Sequence, residues 1–315
     1  MANDIQFSSV CGIDIAKSVM QVYKISSDGV VSNKAVKRAD FLNEFRNIPP
    51  ALIGMEACGG SQHWARELQS LGHTVRLMPP KLVKPYVTGL KNDKNDARGI
   101  YTALVMGVRE VPVKSAAIRD LALLQTMRAK RQREKVAKIN HIRGILTEYG
   151  LVMGKSLNAF LAKARPLIVE LKERADVSPY IVSELLALFQ EVKEAMEKIK
   201  ELETNIDSIA KTLKQYDLFR SAPGVGSITA ATMLVLLCNP AVFKNGREFA
   251  AYIGLAPKST GSGGKNVVTH IPKKYECNNE VRALLVQCAH AICRGKHKSD
   301  WVSSILARKP KKVAV

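Results

Sequence analysis

Long apolar runs are missing from this sequence. The longest, ITAATMLVLLC (228–238), covers 11 residues, against the roughly 20 that a membrane-crossing helix needs, so a membrane span is excluded. The opening MANDIQ has no basic stretch running into an apolar one, so no signal peptide is expected. Paired cysteines are missing too. The six, at positions 11, 58, 238, 277, 288 and 293, form no CxxC and read as reduced cytosolic thiols. The last three lie near His270, His290 and His297, but their spacing fits no zinc pattern. No Ser-His-Asp hydrolase arrangement is present either. Acid is scarce: 28 Asp and Glu face 48 Lys and Arg, a net charge of +20. That is the footprint of a polyanion binder, with a ribosomal or membrane-surface protein as the alternative. A hydrophobic fraction of 46% excludes general disorder, and 315 residues leave room for two or three domains.

Residues 8–80 alternate short apolar runs with turn signals. SSVCGIDIA, VMQVYKISS and GVVSNKAV read as three strands, ADFLNEFRNI as a helix and ALIGMEA as a fourth strand. SQHWARELQSLG follows as a helix stopped by Gly72, then TVRLMP as a fifth strand and a closing helix from about Lys94 to Gly107. This order predicts a mixed-sheet α/β domain over 1–108. From 109 onward the strand signal vanishes. Residues 109–145 carry ten Lys and Arg against three Asp and Glu, which marks a helix facing either solvent or nucleic acid, with Arg128, Lys130, Arg131 and Arg133 as the contacts in the second case. Between 181 and 213 the apolar residues Ile181, Leu185, Leu188, Val192, Ala195, Ile199, Leu202, Ile206, Ile209 and Leu213 step by four and three. That is a coiled-coil seam, paired either with the basic helix of the same chain or with another protomer, so 109–216 forms a helical middle region. The last region, 217–315, is mainly α. It begins with a Pro-Gly-x-Gly turn, where Gly224 and Gly226 lead into a small-residue helix. A helix-hairpin-helix would use such glycines to bring backbone N–H groups to a phosphate; an ordinary helix–helix turn is the alternative.

Four carboxylates carry the chemistry. Asp14 lies within the first strand, in GIDIAK, and Glu56 ends the fourth, in GMEACGG. In LKNDKNDARGIY (90–101), Asp93 and Asp96 stand three apart at a helix start, where like charges repel unless a cation lies between them. A solvated surface balanced by Lys91, Lys94 and Arg98 would explain that pair alone. In a ribonuclease-H-like sheet the first and fourth strands are neighbours and the closing helix crosses their ends, so all four acids would converge. An all-oxygen set of this density favours Mg²⁺ or Mn²⁺, as a pair roughly 3.5–4 Å apart that clamps both reacting oxygens of a phosphodiester. Further along, in APKSTGSGGKNV, Gly261, Gly263 and Gly264 would let the backbone approach a phosphate with Lys265 supplying charge. A serine there is a ligand or a nucleophile, and a surface linker is the alternative.

GIDIAK, MEACGGSQHWARELQSLGH, KNDKNDARGI, PGVGSITAATML, FKNGREFAAYIGLAPK and SGGK, in this order over nearly the whole chain, resemble the DEDD transposases of bacterial insertion sequences. The resemblance is to the family numbered one hundred and ten, in its eleven-eleven branch, relatives of the Piv DNA invertase. It implies a RuvC-like N-terminal domain, a coiled-coil middle and a C-terminal transposase domain, with Asp14, Glu56, Asp93 and Asp96 as the metal tetrad. It further implies a nucleophilic serine just before Gly-Gly-Lys, here Ser262, that links covalently to DNA. Gly261 stands where many members carry a first serine, and THIPKKYECNN lacks a usual glycine. Donor and target DNA, a structured noncoding guide RNA, a homo-oligomer and a nucleoid-associated cytoplasmic setting follow from the resemblance. Two other readings remain at this stage. One is a RuvC-like junction nuclease that uses metal-activated water; the other is a nucleic-acid-binding protein whose acids are structural.

Overall fold

The computed structural model describes residues 7–90, 92–262, 264–273, 276–295 and 298–314. The chain divides into two compact units, Met1–Ser115 with Cys238–Glu248, and Ala116–Leu237 with Phe249–Val315.

In the first unit the alternating runs become β1 (Ser9–Ile15), β2 (Val19–Ser26), β3 (Val31–Lys37), α1 (Asn43–Arg46), β4 (Leu52–Glu56), α2 (Ser61–Ser70) and β5 (Thr74–Met78). A short α3 (Pro80–Val83) and then α4 (Asp93–Val105) follow. The sheet order is β3-β2-β1-β4-β5. Short links make β1–β2 and β2–β3 antiparallel, whereas the connections carrying α1 and α2 make β1–β4 and β4–β5 parallel, as crossover geometry requires. Alternation along β1 sends Cys11 and Ile13 to one face, where they join Phe41, Phe45, Trp64 and Leu68 in the larger core. Val10 and Leu52 belong to the opposite face, with Met78, Val83, Ile100, Ala103 and Leu104. The ADFLNEFRNI stretch is helical only over Asn43–Arg46. Pro49 and Pro50 end it early, while Phe41 and Phe45 are still fully buried. The open edge of β5 is covered by the chain beyond α4: Val111 bridges to Leu77, and the Gln62 and Arg66 side chains bond to residues 112–114.

The second unit holds α5 (Ala116–Glu148), α6 (Leu157–Lys172), α7 (Pro179–Lys211), α8 (Tyr216–Ser221) and α9 (Ser227–Leu236). α10 (Gly246–Tyr252) crosses between the two residue sets. Then come β6 (Lys258–Ser262), β7 (Lys265–His270), α11 (Asn279–Arg294), α12 (Asp300–Arg308) and α13 (Lys311–Ala314). α7 packs on α5 and α6 of its own chain, with Ile142, Leu146, Phe160, Ile168, Leu185, Phe189 and Val192 sharing one core. The heptad reading is half right. Leu185, Val192, Ile199, Leu202 and Ile206 are buried as expected, but Val182, Phe189 and Ala210 are buried in place of Ile181, Leu188 and Ile209. A helix packed against two neighbours buries a stripe wider than a two-stranded seam, and toward both ends of α7 alternate buried positions move on by one residue. The expectation of no strands after 109 is corrected by β6 and β7, an antiparallel hairpin with Ser262 opposite Lys265. Its glycine-rich tip hid a hairpin signal followed by β-branched Val267, Val268 and Thr269. No described helix is long and apolar enough to cross a membrane.

Candidate metal centre

β1 and β4 each present a glycine two residues before an acid: Gly12 and Asp14 on one, Gly54 and Glu56 on the other. Gly12 pairs in register with Gly54, and a period of two puts each glycine on the same face as its acid. α4 crosses that face in close contact. A Cβ on Gly12 would lie 2.4 Å from the Ala97 carbonyl oxygen and 2.4 Å from the Tyr101 nitrogen, and one on Gly54 would lie 3.0 Å from Leu104 Cδ2. The two glycines thus form a trough that lets the helix descend onto the strands, and its N-terminal turn reaches their acidic ends. The motifs GID and GME are therefore steric as well as chemical, a role the sequence reading did not assign.

The α4 start is fixed locally. Asn92 caps it by accepting from the Asn95 N–H at 2.8 Å, and the Asn95 amide donates to the Leu90 carbonyl at 2.7 Å. Asp93 and Asp96 occupy the first turn, where the helix dipole favours negative charge. Carboxylate oxygens of Asp14, Asp93 and Asp96 lie within 4.8 Å of one another. Asp14 is half-buried, and burial, then the charges of Asp96 and Asp93, push its pKa above the ordinary value. Glu56 is also raised, first by burial and then by Asp14 and Asp96. So the structure brings three of the four acids into one cluster and sets the fourth on the neighbouring strand within reach of their charges. Carboxylates gathered this closely and offering oxygen donors alone fit a hard divalent cation such as Mg²⁺ or Mn²⁺. The same set without a cation would be a source of repulsion.

The remaining sequence-derived residues lie in the second unit. Ser262 ends β6 and Lys265 begins β7; their side chains and residue 263 lie outside the described residues. The hairpin base is tied by Glu276, which pairs with Lys258 at 2.8 Å and His270 at 3.2 Å and accepts from the Lys273 N–H. These contacts hold the Glu276 carboxyl down at about 2. No motif pointed to Glu276. Gly224 has a φ of 76° and no room for a Cβ, which would meet the Cys288 carbonyl oxygen on α11 at 2.6 Å. It thus serves helix packing, while Gly226 caps α9 in open space. On α5, Arg128 is engaged by Glu203 at 2.6 Å and Lys130 faces Glu134 at 3.8 Å. Arg131 and Arg133 are exposed, and neither has an ion pair among the described residues.

Comparison with known proteins gives the arrangement a family. A family model described as "Transposase" matches residues 11–151, and one described as "Transposase IS116/IS110/IS902 family" matches residues 216–303. The protein named "Probable family 20 transposase" of Pseudomonas aeruginosa is 34% identical over 96% of this chain and 90% of its own length. The transposase for insertion sequence element IS1111A of Coxiella burnetii is 34% identical over 95% of this chain and 83% of its own. The transposase for insertion sequence element IS1328 of Yersinia enterocolitica is 28% identical over 95% and 90%. With relatives matching end to end and the acid-bearing strands and helix inside the first matched segment, the chain belongs to the IS116/IS110/IS902 family of insertion-sequence transposases.

Proposed function

We propose that this chain cuts and rejoins DNA at an insertion sequence through a metal centre on Asp14, Glu56, Asp93 and Asp96 and a nucleophile at Ser262. The observation that carries the reading is the cluster of Asp14, Asp93 and Asp96 within 4.8 Å, built on a β3-β2-β1-β4-β5 sheet as a RuvC-like domain would build it. When bound, Mg²⁺ or Mn²⁺ neutralises charge on the phosphoryl group and orients the reacting oxygens. Ser262 Oγ attacks phosphorus: a serine–phosphorus ester forms, the bond to the departing strand oxygen breaks, the serine proton passes to solvent and the departing oxygen leaves as a hydroxyl. The reverse step, with a different strand hydroxyl, rejoins the DNA and conserves the ester energy. Regions 1–108, 109–216 and 217–315 supply in turn the acids, the helical frame with its coiled-coil pairing, and the serine hairpin. In the last, α8 and α9 serve as the helix-hairpin-helix toward DNA. The net charge of +20 supports binding both DNA and a structured guide RNA, in a homo-oligomer, with Arg131, Arg133 and Lys265 among the phosphate contacts.

Labelled DNA incubated with the protein and Mn²⁺, then run on a denaturing gel, tests the reading. The wild type should leave a protein–DNA adduct that maps to Ser262. Ser262→Ala should bind DNA and form none, and Asp14→Ala should neither cut nor link. Cleavage without any adduct would instead favour a junction nuclease using metal-activated water.

A further inference from the structure

We infer that Gln21 and Asn33 are positioning residues whose side chains lock the acidic turn of α4 over Asp14. The inference rests on the metal-centre reading above and concerns how that centre is held together. Gln21 stands directly opposite Asp14 in the β1–β2 register, and directly opposed residues share a face of the sheet. It is 5% exposed, so its amide must be hydrogen-bonded. The partner is one strand further out, where Gln21 Nε2 donates to Asn33 Oδ1 at 2.7 Å. The Asn33 amide in turn donates to the Lys94 carbonyl at 3.2 Å. Lys94 sits between Asp93 and Asp96, so the relay ends on the backbone of the turn that carries both.

Asparagine is disfavoured in strands, and the opposite face of the same strands packs Met20, Val22 and Val36 with no polar group needed. The amide pair therefore has a purpose beyond holding β2 to β3. Three carboxylates within 4.8 Å repel, and without a cation that repulsion pushes on the α4 turn against whatever holds it over Asp14. Asn92 and Asn95 shape the turn from within, but the relay anchors it to the sheet. A metal then finds its ligands assembled, and outer-shell partners of this kind commonly control affinity.

The full-length protein, titrated with Mn²⁺ alone and followed by electron paramagnetic resonance, tests this. Asn33→Leu and Gln21→Met, which break the relay at different points, should each weaken Mn²⁺ binding by about tenfold or more. Val36→Ala, a cavity in the same strand, should lower the melting temperature and leave Mn²⁺ affinity unchanged. In metal-free protein, amide exchange over residues 93–98 should quicken in Asn33→Leu and not in Val36→Ala. Wild-type affinity in both relay variants overturns the inference while leaving the metal centre intact, as does equal weakening by Val36→Ala. Mn²⁺ binding that survives Asp14→Ala at wild-type affinity overturns the metal-centre reading itself, and the inference with it.

Discussion

Replacing Gly12 by alanine tests the geometry of the centre without touching a ligand. The new methyl would sit 2.4 Å from the Ala97 oxygen, 2.4 Å from the Tyr101 nitrogen and 2.8 Å from Tyr101 Cα, all backbone atoms. None of them can rotate away, so α4 and β1 must part by about 1 Å to restore ordinary contact. Overpacking costs about 1–3 kcal/mol when side chains can shift, and here the upper end, roughly 3 kcal/mol, is expected. Gly54→Ala is the internal control, because its nearest neighbours at 3.0 Å are the ends of the Leu104 and Met78 side chains, and roughly 1 kcal/mol is expected. Urea unfolding read by tryptophan fluorescence suits the measurement: Trp64 is 7% exposed inside the first unit, while Trp301 is 72% exposed and changes little. The second readout is chemical. An α4 displaced by about 1 Å carries Asp93 and Asp96 away from Asp14, and misplacement on that scale costs about 100-fold in rate. Gly12→Ala should therefore lose strand cleavage far more than Gly54→Ala. If both variants unfold at the same urea concentration and cleave alike, the trough does not set the position of the acids.

Two further outcomes follow from the same structure. Asp14 and Glu56 are raised above their ordinary 3.8 and 4.5, so the metal-free fold holds these protons more tightly than the unfolded chain. Their contribution is complete below the ordinary values and is lost as pH rises through the raised folded ones. In chelator, wild type should thus lose stability relative to Asp14→Asn as pH climbs toward neutral, and Mn²⁺ should reverse the loss; a difference independent of pH refutes it. In α7, Ile206→Ala should cost about 2–5 kcal/mol, whereas exposed Ile181→Ala should stay within about 1 kcal/mol; equal effects would restore the register expected from the sequence.

The acids were legible because each breaks a local pattern. A carboxylate inside an apolar strand or paired with another at a helix start conflicts with burial and charge rules, and such conflicts mark function. The strands themselves were legible from alternation, and the pairing of the first with the fourth from the ribonuclease-H-like order. The companions of the acids were not. Gly12 and Gly54 drew no attention as packing positions, since close approach by a helix far along the chain leaves no local trace. Gln21 and Asn33 drew no attention, because nothing in their own strands says which face α4 will cover. Glu276 was hidden for the same reason, its partners lying in a hairpin taken for a loop. Toward both ends of α7 alternate positions slipped by one while Leu202 held, because a stepping of four and three fits two adjacent stripes and only the neighbouring helices choose between them.

Charge distribution gives the centre its final logic. Thirteen Lys and Arg stand against nine Asp and Glu between residues 1 and 108, and four of those nine acids are Asp14, Glu56, Asp93 and Asp96. A phosphodiester is drawn toward such a chain by its overall positive field, yet at the proposed point of reaction it meets carboxylates that repel it. Asp14 and Glu56 are raised first by burial and then by the neighbouring carboxylates, so adding a phosphate's charge there is unfavourable. Protonation could relieve the repulsion, but it would leave neutral acids with no means of stabilising a pentavalent phosphoryl group. Divalent cations relieve it and reverse the local sign together. In the proposed mechanism the distant basic residues then serve to bring nucleic acid in, and the acids decide where along the protein its backbone can react.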